Sequence, residues 1–210
     1  MKQMLILKYF LRDFIKKYFI FKIYLFKPKQ KKILIYDRRS ETHAKLLFPN
    51  KDMAFYDTRY ESINIYLIIV TFFKSGFNNF KNNYKKNYFE IVSPKIIYTS
   101  IDNNLSFYNL KKTCYKEGIY ISDQNGMRDN TFYYKAKDFL KKNKDSSLYT
   151  DVFFTFGQNE KKKLQKVINT KILTFGATKN NFYFNKKKKE KIKNLIFASN
   201  RPVVDFEKDL

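Results

Sequence analysis

Two short stretches hold the side chains best suited to bind and activate hydroxyl groups: Asp102-Asn103-Asn104 and Gln124-Asn125-Gly126. A carboxylate such as Asp102 can take a proton from a ligand hydroxyl or accept its hydrogen bond. It can equally cap the helix that follows or sit in a turn. Asn103, Asn104, Gln124 and Asn125 each offer a donor and an acceptor, which suits a hydroxyl-rich ligand. The asparagines are just as good at forming turns. Gly126 lets the backbone turn tightly or approach a ligand closely. Arg38 and Arg59 can pair with a phosphate or another anion, or serve as solvated surface. The single histidine, His43, is a candidate general base, or a surface residue between Glu41 and Lys45.

These clusters are placed by what precedes them. Ile33 to Tyr36 runs into Asp37-Arg38-Arg39, and Met53 to Tyr56 into Asp57-Thr58-Arg59. Ile96 to Ile101 leads to Asp102, Ile119 to Ile121 to Asp123-Gln124, and Val152 to Phe156 to Gly157-Gln158. Ile172 to Phe175 leads to Gly176. Helix-like stretches separate most of the apolar runs. This alternation predicts an α/β fold, a Rossmann-like, open, mostly parallel sheet with flanking helices. Ligands of such sheets bind outside the carboxyl ends of the strands.

The expected strands are 32–37, 53–57, 95–101, 119–122, 151–156 and 171–175. The expected helices are 41–48, one starting near Glu61, 79–91, 106–117 with Gly118 as its stop, 133–142 and 160–168. In the second of these, Ile63, Tyr66, Leu67, Val70 and Phe73 are spaced for a buried stripe. This domain spans 32–180. A Lys/Asn-rich linker at 181–193 follows. The run Asn194 to Ser199 reads as the first strand of a second α/β domain, of which 194–210 is all that this chain carries. No phosphate-cradling glycine loop is present, and the chain has only five glycines.

Residues 1–31 read as a basic amphipathic helix and linker. Phe10, Leu11, Phe14, Tyr18, Phe21 and Leu25 share one helical face, with Lys8, Arg12, Lys16 and Lys17 opposite. Such a helix lies in a bilayer interface or packs on a partner. Its cations interrupt any run long enough to span a membrane. An anionic membrane surface met through residues 1–26 is therefore an expected partner.

The formal net charge is +24, which raises nucleic acid as a ligand. Lys, Asn, Ile, Phe and Tyr are all abundant and all have A/T-rich codons, so codon bias is an alternative source of the excess. No helix-turn-helix, zinc finger or paired RNA-binding aromatics occur, so no specific nucleic-acid partner is expected. One cysteine, Cys114, excludes an intrachain disulfide and fits a cytoplasmic setting.

Three pieces together resemble a known family. They are Tyr98-Thr99-Ser100-Ile101-Asp102-Asn103-Asn104, Tyr120-Ile121-Ser122-Asp123-Gln124-Asn125-Gly126, and Asp151 to Gly157 with its echo Leu173-Thr174-Phe175-Gly176. Their order and spacing resemble the amino-terminal half of bacterial surface-carbohydrate proteins, the O-antigen biosynthesis proteins with a glycosyltransferase-B-like fold. The resemblance covers residues 32–199. It implies a first domain that binds a glycan or lipid-linked acceptor and a second that holds a nucleotide sugar as co-substrate, with no bound cofactor. It implies transfer of a sugar to that acceptor in lipopolysaccharide-type synthesis; the basic amphipathic start and the net charge fit work at the inner face of the cytoplasmic membrane. Asp102 would then be the catalytic base, and Asn103, Asn104, Gln124, Asn125, Gly126, Arg38 and Arg59 would bind substrate. No Asp-x-Asp metal motif is present. A sugar-nucleotide epimerase or a polyol-phosphate transferase can share this architecture, and these and a non-catalytic lone domain or truncated remnant stand as alternatives.

Overall fold

The computed structural model describes residues 22–59, 62–142 and 147–178. Eight strands are formed among them: β1 (Lys22–Tyr24), β2 (Ile33–Tyr36), β3 (Met53–Tyr56), β4 (Ser62–Asn64), β5 (Ile96–Thr99), β6 (Ile119–Asp123), β7 (Tyr149–Thr155) and β8 (Asn169–Thr174). The helices are α1 (Glu41–Leu47), α2 (Ile65–Ser75), α3 (Phe80–Val92), α4 (Leu110–Thr113), α5 (Asn130–Lys142) and α6 (Gln158–Leu164).

Six strands make one parallel sheet in the order β3-β2-β5-β6-β7-β8. The chain leaves β2 toward β3 on one side, then crosses back to β5 on the other. The order therefore reverses between β2 and β5, and the carboxyl ends of that pair frame the crevice where open α/β sheets take ligands. The fold is α/β with a parallel sheet and flanking helices, as the alternating pattern predicts.

All four residues of β2 are buried, as expected of a strand covered on both faces. Leu34 and Tyr36 join Ile97, Tyr120 and Phe153 in the larger core, against Phe89 and Val92 of α3, Phe132 and Ala136 of α5, and Leu164 of α6. Ile33 and Ile35 face the other way, with Met53, Tyr98 and Ala44 of α1. The period of two along a strand produces this division.

Local chemistry sets the helix ends. The Asn64 side chain accepts from Leu67 N at 3.0 Å and caps α2. Gly76 ends α2 at φ 57°, and Ser93 ends α3 at φ 49° before Pro94. Gly118 opens β6 at φ 85°, where a Cβ would stand 2.7 Å from Ile97 Cδ1 and 3.0 Å from Pro94 O. It is a strand-entry residue packed on β5 rather than the stop of a long helix.

Three expectations need correction. Lys22–Tyr24, inside the expected amphipathic helix, is a strand paired in parallel with Ser62–Asn64. Residues 1–21 lie outside the described residues, as do the expected linker and final strand. The residues buried on α2 are Leu67 and Thr71, while Phe73 is 82% exposed. Asn87 of α3 explains the rotation, because its Nδ2 donates to Thr71 Oγ1 at 2.9 Å and draws that face inward. Between 106 and 117 only a 3-10 turn at Phe107–Asn109 and α4 are helical. Tyr115, only 9% exposed, folds into the core there and ends the helix.

Candidate functional site

The carboxyl edge of the sheet is built from the ends of four adjacent strands. At β5 and β6 the two amide-rich stretches meet. Asp102 is 1% exposed, and its Oδ1 accepts from the backbone N of Asn125 at 3.1 Å. Arg128 Nε donates to Asp102 Oδ2 at 2.8 Å, and a second guanidinium nitrogen reaches Oδ1, so the pair is two-pronged. The Arg128 guanidinium also lies 5.7 Å from the centre of the Phe132 ring. Beneath it, Tyr108 donates to the backbone oxygen of Asp102 at 2.7 Å, and its hydroxyl lies 3.0 Å from Ser122 Oγ. Burial lifts the Tyr108 phenol above its ordinary range, so it stays a neutral donor.

Gln124 points the other way along the edge. Its Oε1 accepts from Thr155 Oγ1 at 2.7 Å and from Phe156 N at 2.8 Å, and its Nε2 donates to Gly126 O at 2.9 Å. These bonds clip the end of β6 to the end of β7. A cavity of about 360 Å³ lies beside this clip, lined by Met127 and by Phe156 to Glu160. Asn103 is exposed. Asn104 accepts from Ser106 N at 3.1 Å and Ser106 Oγ at 2.7 Å, which makes the turn into the next segment. That turn in turn sets Ser106 Oγ 3.0 Å from the Tyr36 hydroxyl, whose pKa burial pushes up to about 12.

The β2–β5 crevice holds a second constellation. Ser40 Oγ accepts from Ser100 N at 2.9 Å, and His43 Nδ1 lies 2.8 Å from Ser100 Oγ. His43 is half-buried on α1, so the only histidine of the chain stands at the point where the strand order reverses. Histidine is the side chain suited to move a proton near neutral pH. Asp37, held at φ 78°, accepts from Arg39 N at 3.0 Å and from Thr58 Oγ1 at 2.8 Å, tying the loops after β2 and β3 together.

The two expected arginines sit away from Asp102. Arg38 Nε donates to Asp57 Oδ1 at 2.7 Å, and its guanidinium lies 5.2 Å from the Phe55 ring centre. Burial works against its charge, but the bond and attraction to Asp57 outweigh this and raise its pKa. Ser62 Oγ also donates to Asp57. Arg59 is exposed. A cavity of about 430 Å³ lies beyond Arg38, walled by Tyr24, Phe55, Tyr56, Tyr84 and Tyr88.

The structure thus joins Asp102 to Asn125, uses Gln124 as a strand clip, and leaves Arg38 and Arg59 with the β3 loop. Arg128 is the residue that sequence reasoning missed. Its place three positions after Asn125, in Gln-Asn-Gly-Met-Arg-Asp, was the available signal. The His43–Ser100 contact spans 57 residues and had no local signal. Among the described residues no cluster of three or more His, Cys, Asp or Glu is placed to hold a metal ion. No helix among them is long and apolar enough to cross a membrane. Burial pushes the Cys114 thiol up to about 11, so it is a packing residue rather than a nucleophile.

The fold and its edge define an open α/β protein with a polar site at the carboxyl ends of parallel strands. No family model, curated protein or solved structure matches the chain.

Proposed function

We propose that this chain supplies the acceptor-binding half of a glycosyltransferase-B-like reaction in bacterial surface-polysaccharide synthesis. The union of Asp102, Asn125 and Arg128 supports the reading most. Two stretches that resemble the family separately converge on one edge of the sheet, at the end where such folds bind ligands. The acceptor is a glycan or lipid-linked sugar, and a nucleotide sugar is the donor. The reaction breaks the bond between the donor's anomeric carbon and its phosphate and forms a bond from that carbon to the acceptor oxygen. The acceptor's proton must leave with a base.

In this reading Asp102 acts through Arg128, organising the loop 124–128 around the acceptor. His43, at the β2–β5 crevice with its Nδ1 2.8 Å from Ser100 Oγ, is a second candidate base. Asn103 and Asn125 offer amide contacts to acceptor hydroxyls. The protein works at the inner face of the cytoplasmic membrane, where residues 1–26 meet anionic lipid.

The test is incubation of the purified chain with radiolabelled UDP-, GDP-, CDP- and dTDP-sugars and a polyprenyl-diphosphate-linked oligosaccharide in detergent. Acceptor-dependent movement of label into the lipid fraction supports transfer. Conversion of a nucleotide sugar without acceptor would instead make the protein an epimerase. Acceptor binding without transfer favours the second reading, a non-catalytic acceptor domain. The heavy internal bonding of Asp102 and Gln124 is the observation that favours that reading.

A further inference from the structure

α2 and the turn that follows it present an apolar face that nothing among the described residues covers. Ile69 is 50% exposed, Phe72 44%, Phe73 82% and Phe77 82%. Positions 69, 72 and 73 share one side of a helix by their three- and four-residue spacing. The rings touch: Phe72 lies 6.0 Å from Phe73 and 5.1 Å from Phe77, centre to centre. They form one continuous ridge rather than scattered surface residues. β1 packs against α2 and adds Ile23, 63% exposed; Leu25 and Phe26 follow it and line the cavity beside Arg38. Exposed apolar surface of this extent marks an interaction site.

The charge around the ridge selects the partner. The elements that form or pack beside the ridge carry Lys22 in β1, Lys74 in α2 and Lys81, Lys85 and Lys86 in α3, against one carboxylate, Glu90, which Lys74 and Lys86 approach at 4.0 and 3.9 Å. Lys74 stands in the last turn of α2, directly between Phe73 and Phe77 in the chain. Exposed aromatic side chains on elements that also carry lysines match the headgroup region of an anionic bilayer, where rings bury their faces and ammonium groups meet lipid phosphate. An acidic protein groove would offer the charge but does not call for so many rings exposed above half. A second copy of this chain would set lysines against lysines.

We propose that the α2–β1 surface is a membrane-docking surface that takes anionic lipid, with Ile69, Phe72, Phe73 and Phe77 inserting at the level of the headgroups. It would add to any contribution of residues 1–21 and does not depend on sugar transfer, since binding is measured with neither donor nor acceptor present.

The test is co-sedimentation of the full chain with phosphatidylcholine vesicles, with and without phosphatidylglycerol, together with sedimentation velocity in the absence of lipid. The expected result is binding to the anionic vesicles that falls by about tenfold or more in the Phe73→Glu, Phe77→Glu pair. Both side chains are 82% exposed, so melting temperature should hold. Phe73→Ser with Phe77→Ser is the second pair, and should weaken binding in the same direction without added charge. Unchanged vesicle binding in either folded pair would overturn the proposal, as would no binding by the parent chain. A parent that self-associates through this surface, with the pairs monomeric and vesicle binding intact, would overturn it in favour of a second copy.

Discussion

Arg128 closes on Asp102 from the end of the neighbouring strand, its Nε 2.8 Å from Oδ2, on a carboxylate that is 1% exposed. The contact holds the loop after β6 against the end of β5. It explains how two stretches of ordinary turn formers become one surface.

Removing the cation should therefore be costly. Arg128→Ala leaves a buried charge uncompensated and is expected to lose about 3–5 kcal/mol of stability. Urea denaturation checks this. Asp102→Asn should also destabilise, because it strands a guanidinium that is only 12% exposed. Substituting both residues should cost less than the sum of the single losses, as expected for directly paired groups.

Gln124→Ala removes the acceptor for Thr155 Oγ1 and Phe156 N, both close to the buried end of β7. About 1–3 kcal/mol of stability should be lost for the orphaned groups. Gln124→Glu keeps an acceptor oxygen but sets a buried carboxylate oxygen against Gly126 O, so it should not recover the loss. If Gln124 contacted only ligand, neither change would move the denaturation midpoint.

Gly118→Ala tests the β5–β6 entry. The new methyl group meets Ile97 Cδ1 at 2.7 Å, with φ at 85°, so strain and overpacking act together. A loss of about 2–4 kcal/mol is expected from these two causes. Gly126→Ala, with nothing within 4 Å of its Cβ, should be far milder. A thermal melt of both variants compares them directly.

Much of the fold was legible in the sequence because each strand of the main sheet is a short apolar run ended by polar turn chemistry. Ile33 to Tyr36 and Ile119 to Asp123 lie within a residue or two of where their patterns put them. Lys22–Tyr24 was not legible, because three residues paired with Ser62–Asn64 carry no period of their own. Phe73 misled for a related reason. Helical spacing finds a stripe, but polar pairing between Thr71 and Asn87 decided which stripe turned inward. At the site, Asp102 and Asn125 were found from residue type, whereas Arg128 and the His43–Ser100 contact depend on which strand ends the topology makes neighbours.

Asp151 gives a pH dependence with a definite sign. Burial alone would raise its pKa, but bonds from Lys111, the Tyr120 backbone N and Tyr149 outweigh that and lower it. Its folded pKa is thus below its unfolded one, near 3.9 for an ordinary aspartate. The unfolded chain binds the proton first, so this stabilisation is present above the unfolded value and is lost as pH falls through the folded one. Asp151→Asn should flatten the acid limb of a stability–pH curve below about pH 4 and leave its shape at neutral pH unchanged.

Ligand is expected at the carboxyl edge, over Asp102, Asn125 and Arg128. Hydrogen–deuterium exchange tests it most directly, with the chain measured alone and with a short-chain polyprenyl-diphosphate-linked sugar. Slowed exchange is expected to be confined to 40–43, 100–104 and 123–128, and to be lost in Arg128→Ala wherever that variant remains folded. Slowed exchange at the opposite edge, where Ser147, Leu148, Asn169 and Thr170 line a cavity of about 530 Å³, would contradict it. So would slowed exchange confined to the Tyr24–Lys31 wall of the cavity beyond Arg38.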